Sequence, residues 1–258
     1  MPSLMPTQPR TIRRLDQLLF ARGLCESREQ AKRLIMAGRV RHFGQVARKA
    51  SDPAGADDEV EIVEGEKYVS RGGHKLEHAL DEFKIDATDA IAIDLGASTG
   101  GFTDCLLQHG AQMVFSVDVG KGQFAWSLRR DHRVVVMEKT NARFLSPSKM
   151  PNKFQPANII TIDCSFISLR KIFPAAFSLA RNGGNIVALV KPQFEAGKAE
   201  ADKGAGVISD PVIHKRVLGE LQEFVTSQAG VNWRDVTESP LKGPAGNIEF
   251  FALIEKDA

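Results

Sequence analysis

With 258 residues, 43% of them hydrophobic and 26% charged, the chain is long enough for one large domain or a medium domain plus a small one, and its composition is that of a globular protein. No apolar run approaches the ~18 residues needed to cross a bilayer. The N-terminus lacks the apolar centre of a signal peptide, and Cys25, Cys105 and Cys164 lie far apart with no metal-like spacing. Membrane-spanning and disulfide-stapled classes are set aside, no metal is expected, and the cytoplasm is the expected compartment.

The net charge of +2 hides an asymmetry. Residues 10–50 hold 11 Lys/Arg against 3 Asp/Glu, while the rest of the chain holds 23 against 29. A basic module that binds a polyanion is therefore expected ahead of a domain with another task. Residues 1–9 are expected as a disordered lead. Ile12, Leu15, Leu18 and Leu19 then recur at helical spacing over 11–21. Ser27 followed by Gln30 opens a second helix with a capping box, Ala31, Leu34 and Ile35 form its inner face, and Gly38 stops it. Arg28, Lys32 and Arg33 lie on or beside its outer face, with Arg13 and Arg14 before it and Arg39 and Arg41 beyond. So few balancing acids favour RNA binding by these seven residues over a merely solvated face. Short β-like pieces follow at 40–46 and 59–63.

The motifs R-L-D-Q-L-L, S-R-E-Q-A and L-I-M-A-G-R-V, in that order, resemble the S4 RNA-binding domain over residues 10–64. The resemblance implies a two-helix platform that docks on structured RNA mainly through phosphates. His42-Phe43-Gly44 departs from the Val-Asn-Gly usual in that family.

Residues 65–71 read as a linker, and Tyr68, the single tyrosine, is expected to pack between domains. After Arg71 a helix carries Leu76, Ala79, Leu80 and Phe83 on one side. Strands are then expected at 91–95, 113–118, 133–137, 158–163, 185–191, 231–237 and 247–254. Helices at 101–109, 123–130, 170–181 and 211–229 alternate with them, which predicts a parallel α/β sheet with helices on both faces over a domain of residues 72–258.

The first of these units, IAIDLGASTGGFTDCLLQHGA, reads as strand, small-residue turn and helix N-terminus. Asp118 closes the next strand 22 positions after Gly96, where a carboxylate accepts from both hydroxyls of a ribose. The turn is neither the G-x-G-x-x-G of a dinucleotide site nor a P-loop. D-x-G-x-S-x-G instead resembles the first motif of class I S-adenosylmethionine-dependent methyltransferases, with Ser98 in the middle glycine slot. The expected cofactor contacts are Asp94, Gly96, Ala97, Ser98, Thr99, Gly100, Gly101 and Phe102 around the turn, Asp118 and Val119 after the second strand, Glu138 and Asn141 after the third, and Asp163. Gly96 to Gly100 also spells a G-x-S-x-G nucleophile elbow, with Asp163 and His214 in the order a serine hydrolase needs. Too little of a sheet precedes residue 91 for that reading.

Asp163 and Lys191 end apolar runs and Glu249 is embedded in another, where an unpaired charge costs several kcal/mol, so mutual pairing is expected. With Lys75 the set reads Lys–Asp–Lys–Glu. SRGGHKLEHAL, the turn motif, VDVGKGQFAWSLR, IDCSFISL, LVKPQFEAGK and KGPAGNIEFF together resemble the haemolysin A-like (TlyA) family of FtsJ-type RNA 2′-O-methyltransferases with an N-terminal S4 domain. That resemblance implies a class I, Rossmann-like methyltransferase sheet behind a small α+β S4 domain. It implies S-adenosyl-L-methionine as cofactor, ribosomal RNA and ribosomal subunits as partners, cytidine ribose as acceptor, and Lys75, Asp163, Lys191 and Glu249 as the catalytic set. Lys191, flanked by Asp163 and Glu249, is expected to act as an orienting donor against the developing alkoxide rather than as a base, with Lys75 on the other side of the nucleotide. Asp163-Cys164-Ser165-Phe166 lacks both prolines of the motif that clamps a base amine, which disfavours base N-methylation. A non-catalytic ribosome-binding factor and a cytolysin are the remaining alternatives.

Overall fold

Leu15, Leu18 and Leu19 of α1 (Leu15–Ala21) meet Ala31 and Ile35 of α2 (Arg28–Met36) in one small core, as their helical spacing requires. The computed structural model describes residues 12–63, 65–152, 154–197, 200, 202 and 204–258, so the expected lead of residues 1–9 lies outside it. The first helix begins at Leu15 rather than near residue 11. Arg13–Arg14 (β1) pairs antiparallel with Pro53–Ala54 (β4) instead, and Ile12 is left 70% exposed. Ser27 Oγ accepts from Gln30 N at 3.1 Å and caps α2, while Gln30 Oε1 accepts at 2.7 Å from Glu26 N, one residue before the cap, so the expected capping box on Ser27 N is not closed. Strand β2 (Val40–His42) pairs antiparallel with β3 (Gln45–Val46) and β5 (Val60–Ile62). These elements belong to a unit that ends at Glu66, and a second unit starts at Lys67.

The second unit runs α3 (Gly72–Glu82), β6 (Ile91–Leu95), α4 (Gly101–Gln108), β7 (Met113–Val117), α5 (Trp126–Arg129), β8 (Val134–Met137), β9 (Ala157–Ile162), α6 (Phe173–Leu179), β10 (Ala180–Val190), α7 (Pro192–Glu195), α8 (Pro211–Thr226), β11 (Val231–Glu238) and β12 (Phe250–Lys256). Its seven strands lie in the order β11-β12-β10-β9-β6-β7-β8. The expectation of an all-parallel sheet is corrected at β12, which runs antiparallel to both β10 and β11. No described helix lies between β11 and β12, and a parallel return would need such a crossover.

Side chains alternate along the central strands and divide the core in two. Ala92, Val114, Ile159, Val187 and Leu189 face Leu76 and Leu80 of α3 and Phe102 and Leu106 of α4. Ile93, Phe115, Ile160 and Ile186 face Phe173 and Leu179 of α6 and Val217 and Leu221 of α8. Each fully buried leucine or phenylalanine contributes roughly 1.5–3 kcal/mol, so Leu76 and Leu80 alone fix the helix that carries Lys75 against the sheet. Tyr68, expected between domains, is 2% exposed inside the second unit, where its ring sits edge-on to His74 of α3 at 5.1 Å. Its neighbour Val69 donates from its backbone N to Asp104 Oδ2 of α4 at 2.8 Å.

Candidate functional site

Parallel strands put the loops that leave their carboxyl ends on one edge, and the site is built there. At the end of β6, Gly96 has φ +91°, and a Cβ there would lie 2.6 Å from the Asp163 backbone O. The turn therefore closes directly onto the end of β9. Ser98, in the slot where the motif usually has glycine, also takes a left-handed φ of +49°. That strained backbone is held by its N–H, which donates to Asp118 Oδ2 at 2.8 Å. Asp118 Oδ1 accepts from Gly120 N at 2.6 Å. Two backbone donors thus fix the carboxylate and leave it lone pairs for a ligand.

Two concavities share Gly96, Ser98, Asp163 and Ser165. The first, about 300 Å³, is lined by Lys75, Lys191 and Glu249 together with Ala97, Thr99, Gly101 and Phe102. The second, about 530 Å³, runs past Asp118, Val119 and Asn141 between apolar walls that include Val117, Ile167 and Ile172. Asp163 stands at the junction. Lys191 Nζ lies 2.5 Å from Asp163 Oδ1 and donates to Ser165 Oγ at 2.9 Å. Lys75 Nζ donates to Glu249 Oε2 at 2.6 Å. Glu249 was expected beside Lys191; it is paired with Lys75, and the four charges form two separate couples.

Three expected cofactor residues line neither concavity. Gly100 packs away from the opening, where a Cβ would come 2.5 Å from Leu128. Glu138 is drawn off by Arg129 and by Gly122 N, and the Arg129 hydrogen bond holds its carboxyl below the usual range. Asp94 is fully buried beneath the turn, accepting from Thr103 Oγ1 at 2.7 Å and Thr161 Oγ1 at 3.3 Å. Burial pushes its pKa up to about 7, against the lowering hydrogen bond from Thr103, and the nearby Asp163 charge adds to the rise. It supports the turn from behind.

Burial likewise pushes the Cys164 thiol up to about 12, an inert neighbour of the charged couples. Behind the site, Glu195 of α7 accepts from Ser168 Oγ and Leu169 N, both at 2.7 Å, and so ties the segment after β9 to the one after β10. The elbow alternative does not assemble. The His214 ring bonds Ile208 O at 2.9 Å and packs on Phe250, with neither Ser98 nor Asp163 among its contacts.

Ser70, Arg71 and Pro244 line the first concavity, and Thr140, Gln123 and Phe166 the second, without having been expected. Ser165 and Phe166 lie two and three residues after Asp163, so proximity in the chain was the available signal. Phe166 is 90% exposed, has φ +62° and leans on Phe194 at 5.0 Å.

In the first unit the basic residues are largely exposed. Arg14 and Arg28 converge on the buried Asp16 at 3.0 and 3.2 Å. Burial pushes that carboxyl up, but the hydrogen bonds and charges of the two arginines outweigh it and hold it below the usual range. Lys32 pairs with Glu29 at 2.6 Å and Arg39 Nε donates to Val63 O at 3.2 Å, while Arg13, Arg33 and Arg41 are exposed or partly so. Among the described residues no helix is long and apolar enough to cross a membrane.

The FtsJ-like methyltransferase family model matches residues 68–256, and the S4 domain model residues 13–60. The chain is 44% identical over 244 residues to the 16S/23S rRNA (cytidine-2′-O)-methyltransferase TlyA of Mycobacterium tuberculosis, covering 92% of this chain and 88% of that one. It is 41% identical over 239 residues to Hemolysin A of Brachyspira hyodysenteriae, covering 93% and 98%. A solved structure of a hemolysin-type protein from Streptococcus thermophilus superposes with a TM-score of 0.71 at 44% identity, covering 95% of this chain and 89% of that one. With its strand order, its turn motif and these matches together, the chain belongs to the FtsJ-like methyltransferase family and carries an S4 domain at its N-terminus.

Proposed function

We propose that the chain is an S-adenosylmethionine-dependent 2′-O-methyltransferase that acts in the cytoplasm on a cytidine ribose of ribosomal RNA within a ribosomal subunit. The observation that carries this reading is the junction at Asp163, where the concavity that runs past Asp118 meets one lined by Lys75, Lys191 and Glu249. The donor set fits the cofactor: a fixed carboxylate at Asp118 for ribose hydroxyls, apolar walls for an adenine, and a glycine turn that lets the ligand reach the backbone. Gly96, Ala97, Ser98, Thr99, Gly101 and Phe102 would hold the methionine side, with Val119 and Asn141 along the adenosine. Bound there, S-adenosylmethionine supplies an electrophilic methyl group.

The residues of this chain do the rest by placement. Lys191, steadied by Asp163 and Ser165, would present its ammonium to the acceptor 2′-oxygen and oppose the negative charge that develops there as the O–CH3 bond forms, the donor's S–CH3 bond breaks to leave a neutral thioether, and the hydroxyl proton passes to solvent water late in transfer. Lys75, steadied by Glu249, would hold the nucleotide from the other side and keep its 2′-oxygen oriented for transfer. The first unit, through Arg13, Arg14, Arg28, Lys32, Arg33, Arg39 and Arg41, delivers the RNA to the second, which starts at Lys67, inside the stretch 65–71 expected as a linker, and not at residue 72. Each phosphate contact should make binding more salt-dependent.

The test is transfer of tritium from methyl-labelled donor to purified ribosomal subunits, followed by digestion to nucleosides. Labelled 2′-O-methylcytidine is expected; label in a base-methylated nucleoside, or none, would overturn the reading.

A further inference from the structure

The tip of the β2–β3 hairpin is where the first unit leaves the pattern it otherwise follows. Only Phe43 and Gly44 separate the paired residues His42 and Gln45, and both have positive φ, +51° and +73°. A two-residue turn of this kind favours Asn-Gly, because a bulky side chain on left-handed backbone crowds its own carbonyl. Phe43 stands there nonetheless, 60% exposed, so the strain is not offset by burial. Such strain persists where it serves a contact.

The ring is also held in place. His42 stacks on one of its faces, with centroids 4.6 Å apart and planes 26° apart. His42 Nε2 in turn lies 2.8 Å from Asp58 Oδ2, which also accepts from Gly55 N at 2.8 Å. The other face of Phe43 is left to solvent. Residues 30–51 include Lys32, Arg33, Arg39, Arg41, Arg48 and Lys49 and no Asp or Glu, while on the paired segment Asp58 is held by His42 and Gly55 and Glu59 meets the tip through its backbone O, which accepts from Phe43 N at 3.0 Å. A flat apolar face, already backed by a second ring and set among cations, matches an unpaired nucleobase: the base covers the ring and its phosphates meet the cations.

We propose that the free face of Phe43 is a base-stacking contact that takes one unpaired nucleobase of the RNA substrate. The proposal rests on the RNA reading above and adds to it a contact made through a ring rather than through charge.

The test compares the full chain with Phe43→Asn and Phe43→Trp in filter-binding titrations against purified ribosomal RNA and against intact subunits, at several salt concentrations. Phe43→Asn should unfold at the same or a higher temperature, because Asn suits the turn, yet bind both targets about tenfold more weakly. Its dependence on salt should be unchanged, since no cation is removed. Phe43→Trp should bind within about twofold of the parent. Parental affinity in Phe43→Asn would overturn the proposal, as would a shallower salt dependence, which would make the tip a charge contact. Loss confined to intact subunits would assign the tip to a ribosomal protein and overturn it too. A parent chain that binds no ribosomal RNA would sink the RNA reading, and this contact with it.

Discussion

Lys191 Nζ and Asp163 Oδ1 lie 2.5 Å apart at the carboxyl ends of two neighbouring parallel strands, β10 and β9. Continuing the register of Ala188 with Ile162, Asp163 falls opposite Leu189, and Lys191 stands two residues further along the same side, from where its long side chain reaches back to the carboxylate. The sheet itself therefore sets this couple. The second couple, Lys75 and Glu249, is brought together by α3 and the approach to β12, elements far apart in the chain. One couple depends on sheet register and the other on helix-to-sheet packing, and they should respond differently to substitution.

Glu249 is 2% exposed and the Lys75 side chain 12%. Removing either partner strands a charge in a dry place, so Lys75→Ala and Glu249→Ala should each lower unfolding free energy by about 3 kcal/mol in urea titrations. The double variant Lys75→Met/Glu249→Gln should recover most of that stability while methyl transfer stays absent. Recovery of activity along with stability would remove both residues from the chemistry.

Gly96→Ala should fail for a steric reason. The added Cβ would stand 2.6 Å from the Asp163 backbone O, on a φ of +91°. Expected are a destabilisation of about 1–3 kcal/mol and a loss of cofactor affinity of at least about tenfold, or ~1.4 kcal/mol, by calorimetry. Unaltered affinity would show that the turn does not cradle the donor.

Asp94 makes stability depend on pH. Its folded pKa, about 7, stands above the model-peptide value of 3.8. The folded state thus keeps a proton that the unfolded chain has released. The associated stability is fully present below about pH 4 and is lost as pH rises through about 7, at up to roughly 1.4 kcal/mol per pH unit. Asp94→Asn should flatten that part of the pH profile in urea unfolding and gain on the parent between pH 5 and 7. Parallel profiles for parent and variant would contradict this.

How much of this was legible in the sequence depends on whether a feature is local. The turn Gly96–Gly101 and Asp118 lie within one βαβ unit, and periodicity places both. Asp163 and Lys191 stand out because charge ends an apolar run. The partner of Glu249 was not legible, since Lys75 lies 174 positions away and only packing of α3 brings it near. Asp94 and Asp118 look alike in sequence, both acids at or near strand ends. Thr103 and Thr161 enclose the first, whereas the second meets only backbone donors beside an open concavity. The direction of β12 was missed because alternation of strands and helices was extended past α8, where it stops. Ser70, Arg71 and Pro244 sit in loops without periodicity, which leaves no pattern to read.

Holding the donor and moving its methyl group are separate tasks in this site, and Lys191→Ala should divide them. Donor affinity by calorimetry and single-turnover transfer to ribosomal subunits would be measured on the same preparation. Affinity should stay within about threefold of the parent while transfer falls by at least about 100-fold, the scale of losing one oriented donor at a developing oxyanion. Transfer near the parental rate, or a loss of affinity that accounts for the whole loss of transfer, would rule out Lys191 as the donor to the acceptor oxygen.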